Sequence, residues 1–260
     1  MIDKNKWIAQ RLAIFGLHVH IGMKDGDSCV KFNNFFLHFL PHFLGLSASS
    51  PFWQGYDTGL VSSRATIFES SPTAGHPCRV DNWIEFANLY EALTKCKAIG
   101  TLKDLWWDIK PSLEYGTLEI RICDGLNTLD ELLAIVAFIH ALAHWYNDNN
   151  NNEFMRTLSP PMWLIRENKW RATRYGLNAD LITDIEGNST SLRENILSWI
   201  DKLKPYIDSL DYSKYMDTIK NICQKGTSAT RQARVFAETN SIIEISKYNC
   251  KEFAYGSPIW

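Results

Sequence analysis

The feature that most constrains the fold is the stretch GLHVHIG at residues 16–22, which alternates apolar and polar side chains. This period of two predicts a short β-strand, because successive side chains of a strand point to opposite faces. His18 and His20 then share one face, where two imidazoles can bind a metal ion or donate to phosphate. The pattern equally fits two ordinary histidines, one bonded to backbone and one solvated. The pair alone is therefore a weak signal.

A second stretch, TLEIRI at residues 117–122, has the same build, with Glu119 and Arg121 on its polar face. If the two strands share a sheet, these two side chains line one pocket together with His18 and His20. We expect the rest of the chain to be organised around that pocket.

The composition of the 260-residue chain, with 45% hydrophobic and 22% charged residues, is that of an ordinary globular protein. We see no internal repeat and no clear linker, so residues 1–260 are predicted to form a single domain. The net charge of -2 and the pI near 6.4 give no reason to expect nucleic acid or an anionic membrane surface as a partner.

Cysteine usage and the start of the chain predict a reduced, cytoplasmic protein. None of the six cysteines lies in a C-x-x-C pair, and the first residues lack the apolar region of a signal peptide. The most apolar run, residues 132–146, is shorter than the ~20 residues of a membrane span. It also contains His140 and His144, so it is predicted to be a buried helix.

The order of elements predicts an α+β fold, with helices packed on one side of an antiparallel sheet. Strands and helices mix in the first half, and the pattern after residue 126 is almost entirely helical. Helices are predicted from apolar spacing and from start and stop signals. They cover residues 4–13 (a helix tail), 28–46 with a break at Pro41, 81–99, 129–146 after a capping box at 128–131, 159–175, 191–204 and two or three segments within 206–248. A further short strand is predicted at residues 105–109.

Residues 47–79 form a long run of small and turn-forming residues without clear periodicity. Connections of this length are uncommon and often functional. Arg64 is the best anion-binding candidate in this run. The alternative is that the run is a surface loop without a functional role.

Several motifs extend this pattern along the chain in a fixed order. After GLHVHIG they are LSASSPFW and DTG within residues 46–59, PTAG at 72–75, WDIKP at 107–111, TLEIR at 117–121, RENKWRA at 166–172 and GT…RQ at 226–232. Together these motifs resemble those of the bacterial carboxylate–amine ligases. This is the glutamate–cysteine ligase family of the second type, within the glutamine-synthetase-like superfamily. The resemblance covers nearly the whole chain.

This resemblance implies a fold and a reaction. The fold is the glutamine-synthetase-like catalytic fold, with an antiparallel sheet lining an active-site cleft. The reaction uses ATP to phosphorylate the γ-carboxylate of a glutamate-type acid, and an amine such as cysteine then displaces phosphate to form an amide. The implied cofactors are ATP and Mg²⁺ or Mn²⁺, and a homodimer is possible by family resemblance. The acceptor amine, the preferred acid and the pathway stay open.

The resemblance also assigns roles on the polar strand faces. It implies that His18 and Glu119 bind one metal ion, that His20 lies near the nucleotide phosphates, and that Arg121 lies beside the transferred phosphoryl group. Cations suit this chemistry, because carboxylate attack on the γ-phosphorus brings anions together.

Four further cations are candidates for additional anion contacts. Arg64 is one of them, and Lys169, Arg171 and Arg174 form a cluster on a predicted helix. A solvated or ion-paired helix face explains that cluster equally well.

The chain departs from the family at its start. The family's first strand carries a Glu-x-Glu pair that supplies ligands to both metals, whereas the 17 residues before His18 contain no Glu and only one acid, Asp3. We therefore expect the N-terminal family segment to be trimmed, separately encoded or lost. The 260 residues alone are expected to be catalytically incomplete, with an open sheet edge that can recruit another chain.

Two other functions are weighed against the ligase. A degenerate relative would keep the fold and nucleotide binding but lack one metal site. A zinc hydrolase built on His18 and His20 would need a third ligand at a recognisable spacing. The scattered remaining histidines do not supply one.

Overall fold

The computed structural model describes residues 5–150 and 160–260, which form the predicted α+β fold. Its strands are β1 (Val19–Gly22), β2 (Phe52–Trp53), β3 (Tyr56–Asp57), β4 (Ala74–Gly75), β5 (Trp106–Trp107), β6 (Ile109–Ser112), β7 (Thr117–Ile120), β8 (Asp180–Ile182) and β9 (Ser189–Ser191). Its α-helices are α1 (Gly26–Leu37), α2 (Leu40–Ser47), α3 (Ser63–Glu69), α4 (Trp83–Lys95), α5 (Leu129–Asn149), α6 (Met162–Tyr175), α7 (Leu192–Lys202), α8 (Lys204–Ser209), α9 (Ser213–Lys225), α10 (Ser228–Thr239) and α11 (Ile242–Tyr255). A short 3₁₀ helix, Lys6–Arg11, stands where a helix tail is predicted.

The largest sheet is antiparallel, in the order β1-β7-β6. The two stretches with period-two alternation are therefore neighbours, as predicted. In the register, Glu119 on the central strand lies opposite His20 on one side and opposite Lys110 on the other. Because directly opposed side chains share a face, these residues, with the neighbouring His18 and Arg121, form a surface that we call the polar face.

The opposite face of this sheet is apolar and fully packed. Val19, Ile109, Leu118 and Ile120 are all buried there, as members of the main hydrophobic core. Helix α1 packs against β6 and β7, and contributes several phenylalanines to the same core. The alternation read from the sequence thus separates a core side from a solvent-accessible side.

The sequence analysis predicted a strand at residues 105–109 and did not predict β6. The chain forms two short strands there, β5 and β6, and β6 continues through Pro111. Proline cannot donate to a ladder, and it is tolerated here because β6 lies at an edge of the sheet.

Helix α5 is the buried helix predicted from the apolar run, and it extends three residues further, to Asn149. Thr128 caps it by accepting a hydrogen bond from the backbone of Glu131. By length and composition it could cross a membrane, yet 56% of its apolar window is buried inside the protein. It packs as a core helix against α9.

Other helix boundaries differ by a few residues. Helix α4 ends at Lys95 rather than near Gly100, because Lys97 has a left-handed backbone (φ 56°) that cannot continue a helix. The helix predicted over 159–175 is found as α6, and Gly176 ends it as expected. Ser159, the predicted start of this helix, lies outside the described residues.

The long run at residues 47–79 is anchored rather than loose. Buried Asp124 accepts hydrogen bonds from the Ser49 backbone (3.0 Å) and from the hydroxyls of Ser50 and Ser62 (2.8 Å each). Burial raises the pKa of Asp124. The small residues of this run thus hold the hairpin β2–β3 and helix α3 against the segment that follows β7.

The C-terminal helices are tied to α5 by a buried ion cluster. Arg231 of α10 donates from Nη2 to Glu131 of α5 (2.9 Å) and from Nε to Glu252 of α11 (2.6 Å). All three side chains are at most 1% exposed. We call this cluster the buried triad. Glu131, a member of the predicted capping box, therefore both caps α5 and belongs to this cluster.

Candidate active site on the polar face

Glu119 is the centre of the polar face. Its Oε1 lies 3.0 Å from His18 Nδ1 and 2.6 Å from Arg121 Nη1. His20 Nε2 lies 4.0 Å from the same oxygen, and Lys110 Nζ lies 3.9 Å from Oε2. The predicted approach of His18 to Glu119 across neighbouring strands is therefore confirmed. One carboxylate is surrounded by two cations and two imidazoles.

This environment keeps Glu119 ionised. Burial by itself raises the pKa of the carboxyl, since only 8% of the side chain is exposed. The hydrogen bond with His18 and the charges of Arg121 and Lys110 outweigh burial and lower the pKa to about 2. At neutral pH the group is a carboxylate, the form that binds metal ions.

The polar face opens into a cavity of about 370 Å³. Glu119, Arg121 and Lys110 lie in its wall, and residues 112–115 form part of its rim. His20 also lines it, with Nδ1 hydrogen-bonded to Thr117 Oγ1 (2.8 Å). His18 and His20 keep 39% and 34% of their side chains exposed, so both imidazoles are accessible to a ligand.

Lys110 is the member of this site that the sequence analysis missed. Its side chain is only 7% exposed, and Nζ also donates to the Leu102 carbonyl (3.0 Å). The signal was present: Lys110 lies between Ile109 and Pro111, in the same alternation as the other two strands. It was hidden because the proline argued against a strand.

Comparison with known proteins identifies the family. The model of the family described as "Glutamate-cysteine ligase family 2" matches residues 1–248. The chain belongs to glutamate-cysteine ligase family 2. The resemblance drawn from the motifs is therefore confirmed.

Individual relatives are similar over most of the chain. "Putative glutamate--cysteine ligase 2" of Bdellovibrio bacteriovorus is 44% identical over 253 residues, which are 97% of this chain and 67% of the relative. "Putative glutamate--cysteine ligase 2-1" of Frankia alni is 41% identical over 90% of this chain and 61% of the relative. "Putative glutamate--cysteine ligase 2" of Thermobifida fusca is 37% identical over 99% of this chain and 64% of the relative. The chain thus spans about two thirds of the length of these relatives.

Arg64, which was predicted as an anion contact, does not lie on the polar face. Its guanidinium is buried and donates to the carbonyls of Ile122 (3.1 Å) and Arg121 (3.0 Å). Asp124 Oδ1 lies 3.8 Å from Nη1. Arg64 also lines a separate cavity of about 240 Å³, together with Ser50 and residues near the hairpin β2–β3. Any role in anion binding there stays a prediction.

The Lys169, Arg171 and Arg174 cluster does not converge on one point. Lys169 is buried and pairs with Asp108 (2.6 Å) and Glu69 (2.5 Å). Arg171 pairs with Glu167 and also donates to a backbone carbonyl, while Arg174 is exposed against the ring of Tyr175. Lys169 and Arg171 thus have protein partners, and their role as additional anion contacts, to the nucleotide cofactor for example, stays a prediction.

A second group of metal-ligand types lies around Lys169. Glu69, His76 and Asp108 place ligand atoms within 4.8 Å of one another. The ammonium of Lys169 already bonds both carboxylates, so a protein cation occupies the place of a metal ion. Burial, and then the charge of Lys169, lower the pKa of His76 to about 3. We therefore regard this group as an ion-pair network.

The polar face fits part of a divalent-metal site. His18 and Glu119 offer one imidazole nitrogen and one ionised carboxylate oxygen 3.0 Å apart. Mg²⁺ prefers about six oxygen ligands, several of them waters or substrate phosphates. Within residues 5–150 and 160–260, Glu119 is the one carboxylate in contact with His18. Further ligands would come from water, nucleotide or other protein segments.

Proposed function

We propose that the polar face is the catalytic surface of an ATP-dependent carboxylate–amine ligase of glutamate–cysteine type. The observation that supports this most strongly is the excess of positive charge around Glu119 at the wall of an open cavity. An anionic ligand such as a nucleotide phosphate would be attracted there, and membership of the ligase family indicates which reaction such a ligand serves.

The proposed reaction has two steps. A γ-carboxylate oxygen of the acid attacks the terminal phosphorus of ATP, which breaks the bond to ADP and forms an acyl phosphate. The nitrogen of the amine then attacks the acyl carbon, phosphate leaves with the bonding electrons, and the nitrogen loses a proton to give the amide. Bound Mg²⁺ or Mn²⁺, held by His18 and Glu119, would offset the charge of the phosphates.

Arg121 and Lys110 have complementary roles in this proposal. Arg121 already donates to Glu119 through Nη1, and its remaining donors can contact the transferred phosphoryl group as negative charge spreads over its oxygens. Lys110 supplies a second fixed charge from β6. Because Lys110 lies on β6 and Arg121 directly follows β7, the sheet fixes both cations and little reorganisation is needed as the reaction proceeds.

His20 is proposed to contact the nucleotide phosphates. Its Nδ1 is engaged by Thr117, which orients the ring, and its Nε2 remains on the side of Glu119. Arg64 is proposed as an anion contact in the neighbouring cavity, and Lys169 and Arg171 as residues that act on the nucleotide. The role of His20 rests on family resemblance, whereas Arg64, Lys169 and Arg171 are candidates because of their charge.

The test is an assay of ATP hydrolysis with glutamate and a panel of amines that includes cysteine. It is run on the 260-residue chain and on the same chain extended by the N-terminal segment of a relative. We expect ADP formation that needs both acid and amine, with amide as product, and we expect it to be faster in the extended version. Absence of acid- and amine-dependent turnover in both versions would overturn the ligase proposal.

A second candidate is a relative that binds nucleotide without turnover. The observation in its favour is that Glu119 is the one carboxylate beside His18 in the described ranges. Asp57 accepts a hydrogen bond from the Gly59 backbone, and Asp108 is ion-paired with Lys169, so both carboxylates already have partners within the protein. ATP binding without turnover in either version would favour this candidate. Equal turnover by both versions would exclude it.

A further inference from the structure

A second cavity lies apart from the Glu119 cavity and has no assigned role. It has a volume of about 540 Å³ and lies between the open edge of β1 and helix α5. His140 and His144 project into it from α5, and Lys24 and Lys31 line it from the other side. His20 borders both cavities, but the two helix histidines border only this one.

His140 and His144 are one helical turn apart, so they lie on the same face of α5, with their rings edge-on to each other at 79°. Their Nε2 atoms lie 3.2 Å from each other. Two nitrogens bound to a tetrahedral zinc ion at Zn–N distances of about 2.0–2.1 Å are separated by about 3.3 Å. The two nitrogens thus have the spacing of a chelate, and a bound ion would replace the hydrogen bond that now joins them.

Tyr212, in the loop before α9, forms a hydrogen bond with one of the two histidines. Its hydroxyl lies 2.9 Å from Nδ1 of His140. A partner on one ring nitrogen fixes the orientation of the imidazole and leaves the other nitrogen as the ligand, as is common around metal-bound histidines.

The surroundings indicate which ions fit. The described residues that line the cavity include no carboxylate. Mg²⁺ and Ca²⁺, which prefer oxygen ligands, are therefore disfavoured, and imidazole suits zinc, nickel and copper. Lys24 and Lys31 repel a bare cation but favour an anion as an additional ligand. The volume leaves room for water or a small anion on the open side of the ion.

We propose that His140 and His144 form a two-histidine site for a divalent transition-metal ion such as Zn²⁺ or Ni²⁺, oriented by Tyr212. The site is independent of the ligase active site. It requires neither turnover nor nucleotide, and its test does not depend on the proposed function.

The test is isothermal titration of the full 260-residue chain with ZnCl₂ and, separately, with NiCl₂, in excess Mg²⁺ so that oxygen-rich sites are filled. His140→Gln and His144→Gln retain hydrogen-bonding side chains of similar polarity and remove one ligand each. We expect each to weaken binding by about tenfold or more, and the double variant to lose this binding event. Asn147→Ala, which lines the same cavity from an exposed position, is the matched control and should bind within about twofold of wild type.

Thermal denaturation without metal verifies that the variants are folded, and its repetition with metal provides a second readout. The metal should raise the melting temperature of wild type and of Asn147→Ala, but not that of the double variant, because only the folded state presents both ligands. The proposal is overturned if wild type binds neither ion, or if the folded double variant binds both as tightly as wild type. The latter result would assign binding to other groups, such as the exposed cysteines.

Discussion

The chain contains two clusters of charged side chains that differ in charge balance and in access to solvent. On the polar face, one carboxylate, Glu119, is surrounded by Arg121, Lys110 and two partly exposed histidines. In the buried triad, one guanidinium lies between two carboxylates, and none of the three side chains is more than 1% exposed. The first cluster has unused positive charge beside a cavity. The second has no open side.

This difference indicates that the polar face is suited to ligand binding and that the buried triad serves the fold. A buried ion pair that is closed to ligands serves the fold, because removing one partner leaves an uncompensated charge in the interior. A cluster with an excess of one charge beside a cavity is suited to a ligand of the opposite charge. Substitutions in the buried triad should therefore act on stability, and substitutions on the polar face should act on binding and rate.

The largest effect is expected from Arg231→Met in the buried triad. The change leaves Glu131 and Glu252 buried without their cation, which should lower the free energy of unfolding by about 3–5 kcal/mol. Urea denaturation measures this. Arg234→Met, an exposed arginine on the same helix, is the control and should change stability by less than about 0.5 kcal/mol. Equal stability of the two variants would remove the basis of the comparison.

Arg121→Ala, on the polar face, should change the reaction rate rather than the stability of the fold. In an active version of the protein it should slow acyl-phosphate formation by about 10²–10³-fold with the fold intact, because it removes a cation from the transition state. Arg121→Lys should restore only part of the rate if the guanidinium holds the phosphoryl group with two donors. Wild-type turnover by Arg121→Ala, measured as ADP release, would assign this residue to structure.

The third prediction concerns acid stability. The pKa of Glu119 is lowered from 4.5 to about 2, so its stabilising contribution is complete above about pH 4.5 and disappears as pH falls through about 2. This contribution is at most about 3 kcal/mol. Melting temperatures between pH 5 and pH 3 should fall less steeply for Glu119→Gln than for wild type. Glu114→Gln, which removes an exposed carboxylate at the cavity rim, should follow the wild-type curve.

The smallest predicted effect is the difference in stability between alanine substitutions at the two glycines of GLHVHIG. A Cβ at Gly16 would lie 2.2 Å from Nη2 of Arg64, whereas a Cβ at Gly22 would meet nothing within 4 Å. Gly16→Ala should therefore cost about 1–3 kcal/mol of stability, since Arg64 must move away from the carbonyls that it binds. Gly22→Ala should stay within about 0.5 kcal/mol of wild type. Equal melting temperatures would show that the Arg64 contact is dispensable.

Much of the polar face could be predicted because its signal is local. Alternation with a period of two predicted both strands, and their shared polar chemistry predicted that His18 would meet Glu119. Helix caps were predictable for the same reason, since Thr128 and Gly176 act within one helical turn. Lys110 was missed because Pro111 masked a third strand of the same sheet.

The partners of the remaining charged residues could not be predicted, because they come from distant parts of the chain. Lys169 is 61 residues from Asp108 and 100 from Glu69, and nothing near Lys169 distinguishes a buried ion pair from an anion contact. The hairpin β8–β9 has strands of only three residues, which are too short for a periodic pattern. Only tertiary packing determines these features.

The central claim, that His18 and Glu119 together bind a metal ion at a nucleotide site, is tested most directly by titration of Mn²⁺ with ATP present, followed by electron paramagnetic resonance. The comparison uses wild type, His18→Gln and Glu119→Gln, with Glu91→Gln, which changes an exposed carboxylate on α4 outside both proposed metal sites, as the control. The account predicts that each of the first two substitutions weakens Mn²⁺ binding by about tenfold or more, while the control retains wild-type affinity. Equal Mn²⁺ affinity in wild type, His18→Gln and Glu119→Gln would contradict the account.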